Sequence, residues 1–249
     1  MKRIYKIIVA AAGAVALLAG VKLAGDRIHL AMLMKKMEPV LELPETGQRK
    51  IVCIGDSITF GAGVLDSRDR EAWVSILKEE LKEDYEVLNY GVCGATCMKE
   101  SDHPYPDEFW QEAVNCDAEI YILMLGTNDS KPQNWKESEY RAQLEEYVRT
   151  LKEKTSAGSI ILMTPPPAFA QDGQELAVYE IDPALVSNPI RKTVLAEAKK
   201  EEVGVIDLYE QLDGHPEYFM DGVHPNAEGN QVIADIIRNE LMHDMGLQD

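Results

Sequence analysis

From residue 50 onward, short apolar runs alternate with amphipathic stretches. Ile51-Val52-Cys53-Ile54-Gly55 is an apolar run bounded by Lys50 and a glycine, which predicts a buried strand. Residues 70–84 carry Trp73, Val74, Ile76, Leu77 and Leu81 among charges, the 3.6-residue period of an amphipathic helix. The same reading predicts strands at 86–90, 118–125, 159–163 and 204–208, and helices at 107–116, 137–154, 188–202 and 227–243. The stretch AEIYILML at 118–125 is apolar almost throughout, as a strand covered on both faces of a parallel sheet must be. Five strands separated by helices predict a doubly wound, three-layer α/β/α domain on a five-stranded parallel sheet. The strand order cannot be read from the pattern.

The beginning of the chain is patterned differently. Met1-Lys2-Arg3 and Lys6 precede an uncharged run from Ile7 to Val21, a basic start followed by an apolar segment. Counted from Ile7 to Gly25, with Lys22 reaching toward the interface, a helix of about 28 Å just crosses a bilayer core. No small-residue cleavage site follows, so residues 1–37 are read as a signal anchor with a membrane-proximal helix, and secretion after cleavage is the alternative. Residues 38–47, with Pro39 and Pro44-Glu45-Thr46-Gly47, are read as a linker, and 48–249 as the folded domain. A short tail carrying the translocation signal favours a domain outside the cytoplasm, although Arg27, Lys35 and Lys36 place positive charge beyond the span as well.

Charge narrows the partners. The 249 residues carry a formal −18; residues 1–47 hold 7 of the 25 basic and 4 of the 43 acidic side chains, which leaves 18 against 39, or −21, for the remainder. A domain this acidic repels polyanions, which argues against nucleic acid and against adhesion to anionic headgroups. The four cysteines form no Cys-x-x-Cys pair; Cys53 lies in a strand pattern as a small hydrophobe, and a Cys93–Cys97 disulfide stays open against demanding geometry.

Four loops carry the candidate chemistry. Gly55-Asp56-Ser57 ends the first strand and Asn89-Tyr90-Gly91-Val92-Cys93-Gly94 follows the second. Gly126-Thr127-Asn128-Asp129 follows the third, and Asp221-Gly222-Val223-His224 precedes the last helix. Gly-Asp-Ser alone is equally well a simple turn. At the carboxyl edge of one sheet, however, the four together supply a hydroxyl, a glycine amide, a side-chain amide and an Asp-x-x-His pair. A serine hydroxyl needs a base to take its proton; His224 can do so through Nε2 if Asp221 holds Nδ1–H. The oxyanion formed on attack needs donors aimed at it, and losing one typically costs about 10²–10³ in turnover. Such chemistry requires no metal and no organic cofactor.

These blocks resemble the SGNH, or GDSL, hydrolase family, which contributes Ser, Gly, Asn and His in this order. The likeness runs from Ile51 to about His243 and implies an SGNH, flavodoxin-like fold. It implies Ser57 as nucleophile, Asp221 and His224 as the rest of a triad, and Ser57, Gly94 and Asn128 as the oxyanion hole. Gly91 is an alternative to Gly94, but the family pattern Asn-x-Gly-x-x-Gly favours the second. LGTNDSKPQNW and HPYPDEFW look like a subgroup of carbohydrate esterases that includes sialate O-acetylesterase-like proteins.

The resemblance therefore implies an esterase for acetyl groups on a small-molecule or glycan ester. A lipase, lysophospholipase or thioesterase for longer chains and a silent glycan-binding module are the competing readings. Tyr105, Trp110 and Trp135, just beyond the site-forming loops, are candidates for a sugar platform, with core packing an equal alternative. Asp56 and Asp129 are expected to brace the loops. His29, His103, His215 and His243 are read as surface or packing residues.

Overall fold

The computed structural model describes Met32, residues 35–45 and residues 47–244, with side chains to residue 242. The chain divides into two compact units, Met1–Glu38 and Pro39–Asp249. In the first, Met32, Lys35 and Lys36 are helical. The expected span at 7–25 lies outside the described residues, and no helix among the described residues is long and apolar enough to cross a membrane.

The second unit is built on five parallel strands, β1 (Arg49–Gly55), β2 (Tyr85–Gly91), β3 (Ile120–Met124), β4 (Ser159–Met163) and β5 (Gly204–Ile206), in the order β2-β1-β3-β4-β5. Its principal helices are α1 (Ser57–Phe60), α2 (Arg68–Glu71), α3 (Trp73–Glu80), α4 (Asp107–Asn115), α5 (Glu137–Lys154), α6 (Arg191–Glu201), α7 (Leu208–Leu212) and α8 (Ala227–Asp244). Alternate strand residues sort to opposite faces. Ile51, Cys53, Val87, Ile122 and Ile161 pack with Trp73, Leu77, Ile233 and Ile237 of α3 and α8. Val52, Ile54, Leu88, Leu123 and Leu162 pack with Trp110, Leu144, Val148 and Val194 of α4, α5 and α6.

The strand order and the handedness of the crossovers together place the helices. The chain leaves β1 in one direction to reach β2 and, from there on, builds β3, β4 and β5 on the other side. A right-handed crossover then requires α3 on one face and α4, α5 and α6 on the other. The reversal opens a crevice at the carboxyl ends of β1 and β3, where ligands bind in sheets of this kind. Register levels those ends, because Gly55 is opposite both Gly91 and Met124. The loops that follow all leave from one height.

Several expectations are corrected here. The helix predicted over 70–84 is two: Ala72 is extended (φ −70°, ψ 139°), and α3 starts afresh where Asn230 Oδ1 accepts from Trp73 N–H at 3.0 Å. The helix predicted from Asn188 begins regularly at Arg191, after a widened turn at Val186–Ile190 containing Pro189, which has no N–H for an α ladder. The segment expected as a linker is seated on the edge strand. Leu41 packs on the core, Glu42 Oε2 accepts from Asn89 N–H (3.0 Å), and Tyr90 Oη donates to the Glu42 carbonyl (2.6 Å). One outward N–H of the edge strand is satisfied in this way.

The close approach of α1 to the sheet depends on Gly91. A Cβ there would lie 2.2 Å from Phe60 N and 2.6 Å from Phe60 Cα, backbone that has no side chain to swing away. Gly91→Ala should therefore destabilise the fold by about 1–3 kcal/mol and lower activity by shifting α1. Urea denaturation checks this, and an unchanged midpoint would show that α1 has room to move.

Candidate active site

Ser57 is the first residue of α1, directly after β1. Asp56 caps that turn, its carboxylate accepting from Ile58 N–H at 2.9 Å. Asn89 fixes the turn from β2: its Nδ2 donates to Thr59 O (3.0 Å) and its Oδ1 accepts from Gly91 N–H (2.9 Å). With its N–H engaged in this way, Gly91 is not an oxyanion donor. Gly94 has φ +81° in a turn closed by Ala95 N–H to Val92 O (3.1 Å). Neither the Gly94 N–H nor the Ser57 N–H has an acceptor among the described residues.

Three residues far apart in sequence form one hydrogen-bonded chain. Ser57 Oγ is 2.9 Å from His224 Nε2, and His224 Nδ1 is 2.8 Å from Asp221 Oδ2. The other Asp221 oxygen accepts from His224 N–H (2.8 Å) and Val223 N–H (3.0 Å), so one carboxylate both closes the turn and orients the ring. Burial alone would raise the Asp221 pKa. The His224 hydrogen bond and charge, with the two backbone donors, outweigh it and hold the group at about 2. Asp221 is thus ionised at neutral pH, which selects the tautomer that leaves Nε2 free to accept from the serine. The turn is anchored from α8, where Asn230 Nδ2 donates to Pro225 O at 2.8 Å.

Asn128 is brought to the same place by β3, with its Nδ2 donating to Ala95 O at 3.1 Å and 3.5 Å from Asp56 Oδ2. Asp129, fully buried, accepts from Cys97 N–H and Met98 N–H, each at 2.9 Å. It binds the Asn128 loop to the Gly94 loop. Burial pushes Asp129 up to about 7 and Asp56 to about 6.

Two of the three expected platform residues are corrected. Tyr105 is buried with its hydroxyl donating to Tyr90 O at 2.6 Å, and Trp110 is buried against Tyr147, ring centroids 4.4 Å apart. Both belong to the core. Trp135 is half-buried and leans on Tyr140 at 5.6 Å. Asp102, Lys131 and Asn134 bond to one another, and Asn134 Nδ2 also donates to Asn128 O (3.0 Å), so they act as struts between loops. All four cysteines are free thiols, and burial pushes Cys93, beside Gly94, up to about 12. Among the described residues, one group of three carboxylates, Glu145, Glu197 and Glu201, is close enough for a cation. Lys200 already lies among them, 2.9 Å from Glu145 and 3.0 Å from Glu197.

Sequence reasoning missed Tyr179. Its ring meets that of His224 edge-on, centroids 5.3 Å apart and planes at 68°. Burial, then the charge of Asp221 and a hydrogen bond to it, raise the phenol above its ordinary range. A tyrosine in an irregular stretch 45 positions before the histidine carries no periodic signal that would single it out.

The buried Asp129 gives a pH prediction. Its pKa is raised in the fold, so the stability it contributes is full below about pH 4 and is lost as pH rises through about 7. Asp129→Asn, neutral throughout, should gain in melting temperature relative to the parent between pH 5 and pH 8. A constant difference across that range would mean that Asp129 is ionised in the fold at pH 5.

Known proteins resemble this chain in sequence and fold. The GDSL-like Lipase/Acylhydrolase family matches residues 53–232. The acetylxylan esterase of Xylanibacter ruminicola is 32% identical over 214 residues, which cover 78% of this chain but 43% of that protein, so the chain spans less than half of that relative. A carbohydrate acetylesterase family member from Sinorhizobium meliloti superimposes with TM-score 0.65 at 20% identity, covering 80% of this chain and 100% of that one. A lipase/acylhydrolase from Enterococcus faecalis does so with TM-score 0.63 at 23% identity, covering 79% and 97%. These structures share the fold. With the family match running from within β1 into α8, across every loop described above, the chain belongs to the GDSL-like lipase/acylhydrolase family.

Proposed function

We propose that this chain is a serine esterase that removes acetyl groups from carbohydrate, with Ser57 as nucleophile, His224 as base and Asp221 as its orienting partner. The observation that carries this reading is the chain from Ser57 Oγ through His224 to Asp221, at 2.9 and 2.8 Å, beside two backbone N–H groups without acceptors. As Ser57 Oγ bonds to the carbonyl carbon, Nε2 takes its proton and the carbonyl electron pair moves onto oxygen. The Ser57 and Gly94 N–H groups stabilise that oxyanion, together with the Asn128 Nδ2 hydrogen that is not held by Ala95 O and has only a long, 3.5 Å contact with Asp56 to give up. When it collapses, the alcohol leaves with the proton from His224. Water then repeats the sequence on the acetyl-enzyme, releasing acetate and regenerating Ser57.

Two considerations favour acetate on a sugar over a long acyl chain. The relative that matches over 78% of this chain is an acetylxylan esterase. In addition, Met98, Tyr105 and Trp110 are buried, leaving Lys99, Asp102 and His103 outward on the segment after the Gly94 loop. A long chain gains about 0.8 kcal/mol per CH₂ only against apolar surface, and this segment offers little beyond Pro104 and the half-buried Phe109.

Ser57→Ala and His224→Ala should each lower turnover of p-nitrophenyl acetate by roughly 10⁴ while circular dichroism stays unchanged, and Asp221→Asn should lower it less. The parent should prefer the acetate to the octanoate in kcat/KM. A fully active Ser57→Ala would remove the serine from the mechanism, and octanoate preference would put a lipase or thioesterase in its place. No turnover of either ester would favour a glycan-binding module.

The basic start and the apolar run at 7–25 support an anchored protein with its catalytic domain outside the cytoplasm. In cells making the whole chain it should sediment with membranes. Full-length chain in the soluble cytosolic fraction would refute the anchor.

A further inference from the structure

Between β4 and α6 the chain makes a long excursion with a small core of its own. Ala168, Ala177, Ile181, Val186 and Val223 pack together, with Val178 and Tyr209 against them. Val223 directly precedes His224, so this core is built onto the histidine turn, and Phe169 N–H donates to Gly222 O at 2.8 Å. On the other side, Asp182 N–H donates to Ser130 Oγ (3.2 Å) and Gln133 Nε2 to Glu180 Oε2 (3.3 Å). The excursion therefore bridges the histidine turn and the asparagine loop.

Within it, Tyr179 and Glu180 both have left-handed backbone, φ +60° and +62°. Neither is glycine, and side-chain-bearing residues adopt that region at a cost, which persists only where the surroundings enforce it. Here the turn is closed by Ala177 N–H to Ile181 O (2.8 Å) and Ile181 N–H to Val178 O (3.3 Å). What the strained turn achieves is to set the Tyr179 ring against His224 while 62% of the residue stays exposed. Among the described residues it is the one aromatic ring so exposed; the other exposed large hydrophobics are Met32, Val40, Leu43, Val205 and Met220.

We propose that Tyr179 is the platform on which the sugar ring carrying the ester stacks. The placement follows from the chemistry. The carbonyl carbon must lie at Ser57 with its oxygen toward Gly94 and Asn128, while the leaving oxygen must reach His224 Nε2 to collect its proton. The group attached to that oxygen therefore extends past the His224 ring, where Tyr179 stands. A pyranose offers a face of weakly positive C–H groups, which complements the negative face of an aromatic ring. This assignment deepens the esterase reading and rests on it.

The test compares partly acetylated xylotriose with ethyl acetate, whose leaving group has no ring, in the parent, Tyr179→Ala and Tyr179→Phe. Tyr179→Ala should raise KM for the xylotriose acetate about tenfold, the size of one ring contact, and lose at least fivefold more kcat/KM on it than on ethyl acetate. Tyr179→Phe should keep most of the xylotriose preference. Equal losses on both esters, carried in kcat and shared by Tyr179→Phe, would make the tyrosine a positioning residue for Asp221 and overturn the platform. Calorimetry of acetylated xylotriose on Ser57→Ala, with and without Tyr179→Ala, reads binding without turnover. About a tenfold weaker Kd supports the platform even if no ester is hydrolysed, and an unchanged Kd, or no binding to Ser57→Ala, overturns it.

Discussion

Loops have no ladder of hydrogen bonds to hold them in register, so the relative positions of the groups in this site depend on buried side chains that bond to backbone across loops. Asp129 is the central one. Its two oxygens satisfy Cys97 N–H and Met98 N–H, and without it two buried donors would be unpaired at about 1–3 kcal/mol each. Asn89 does the same between β2 and α1, Asn134 between the Asp102 loop and Asn128, and Asn230 between α3 and the turn after His224. None of these side chains belongs to the Ser57–His224–Asp221 chain, and each fixes the place of a loop of the candidate site.

Carboxylates in this region differ because their partners differ. Asp221 is half-buried but has an imidazole and two N–H donors, and it stays ionised far below neutral pH. Asp56 and Asp129 also accept backbone N–H groups, yet complete burial pushes both upward, and the charge of Asp56 adds to the rise at Asp129. The carboxylate bonded to the His224 ring is thus the one kept charged, and the charge of its buried neighbours is partly suppressed.

The excursion after β4 adds a second support. Its small core shares Val223 with the histidine turn and its polar contacts reach Ser130 and Gln133. The loops bearing His224 and Asn128 are consequently tied on two sides, from beneath by the sheet ends and laterally by this segment. Strain at Tyr179 and Glu180 is tolerated because the packing around them is already fixed.

The sequence by itself determined most of the elements and named the residues of the candidate site. A buried strand, an amphipathic helix and a Gly-Asp-Ser or Asp-x-x-His turn are each written within a few residues, so β4 and α5 fall where periodicity puts them, and Ser57, Gly94, Asn128, Asp221 and His224 are legible as residues. Tertiary structure decided what depends on distant partners. It chose the strand order and broke the helix at Ala72 for the sake of Asn230. It drew Tyr105 and Trp110 into the core, fixed Gly94 rather than Gly91 as the open amide, and stood Tyr179 against His224. Local periodicity records which face of an element is buried, whereas the partner of a loop residue is set by where other loops end, and no spacing along the chain encodes that.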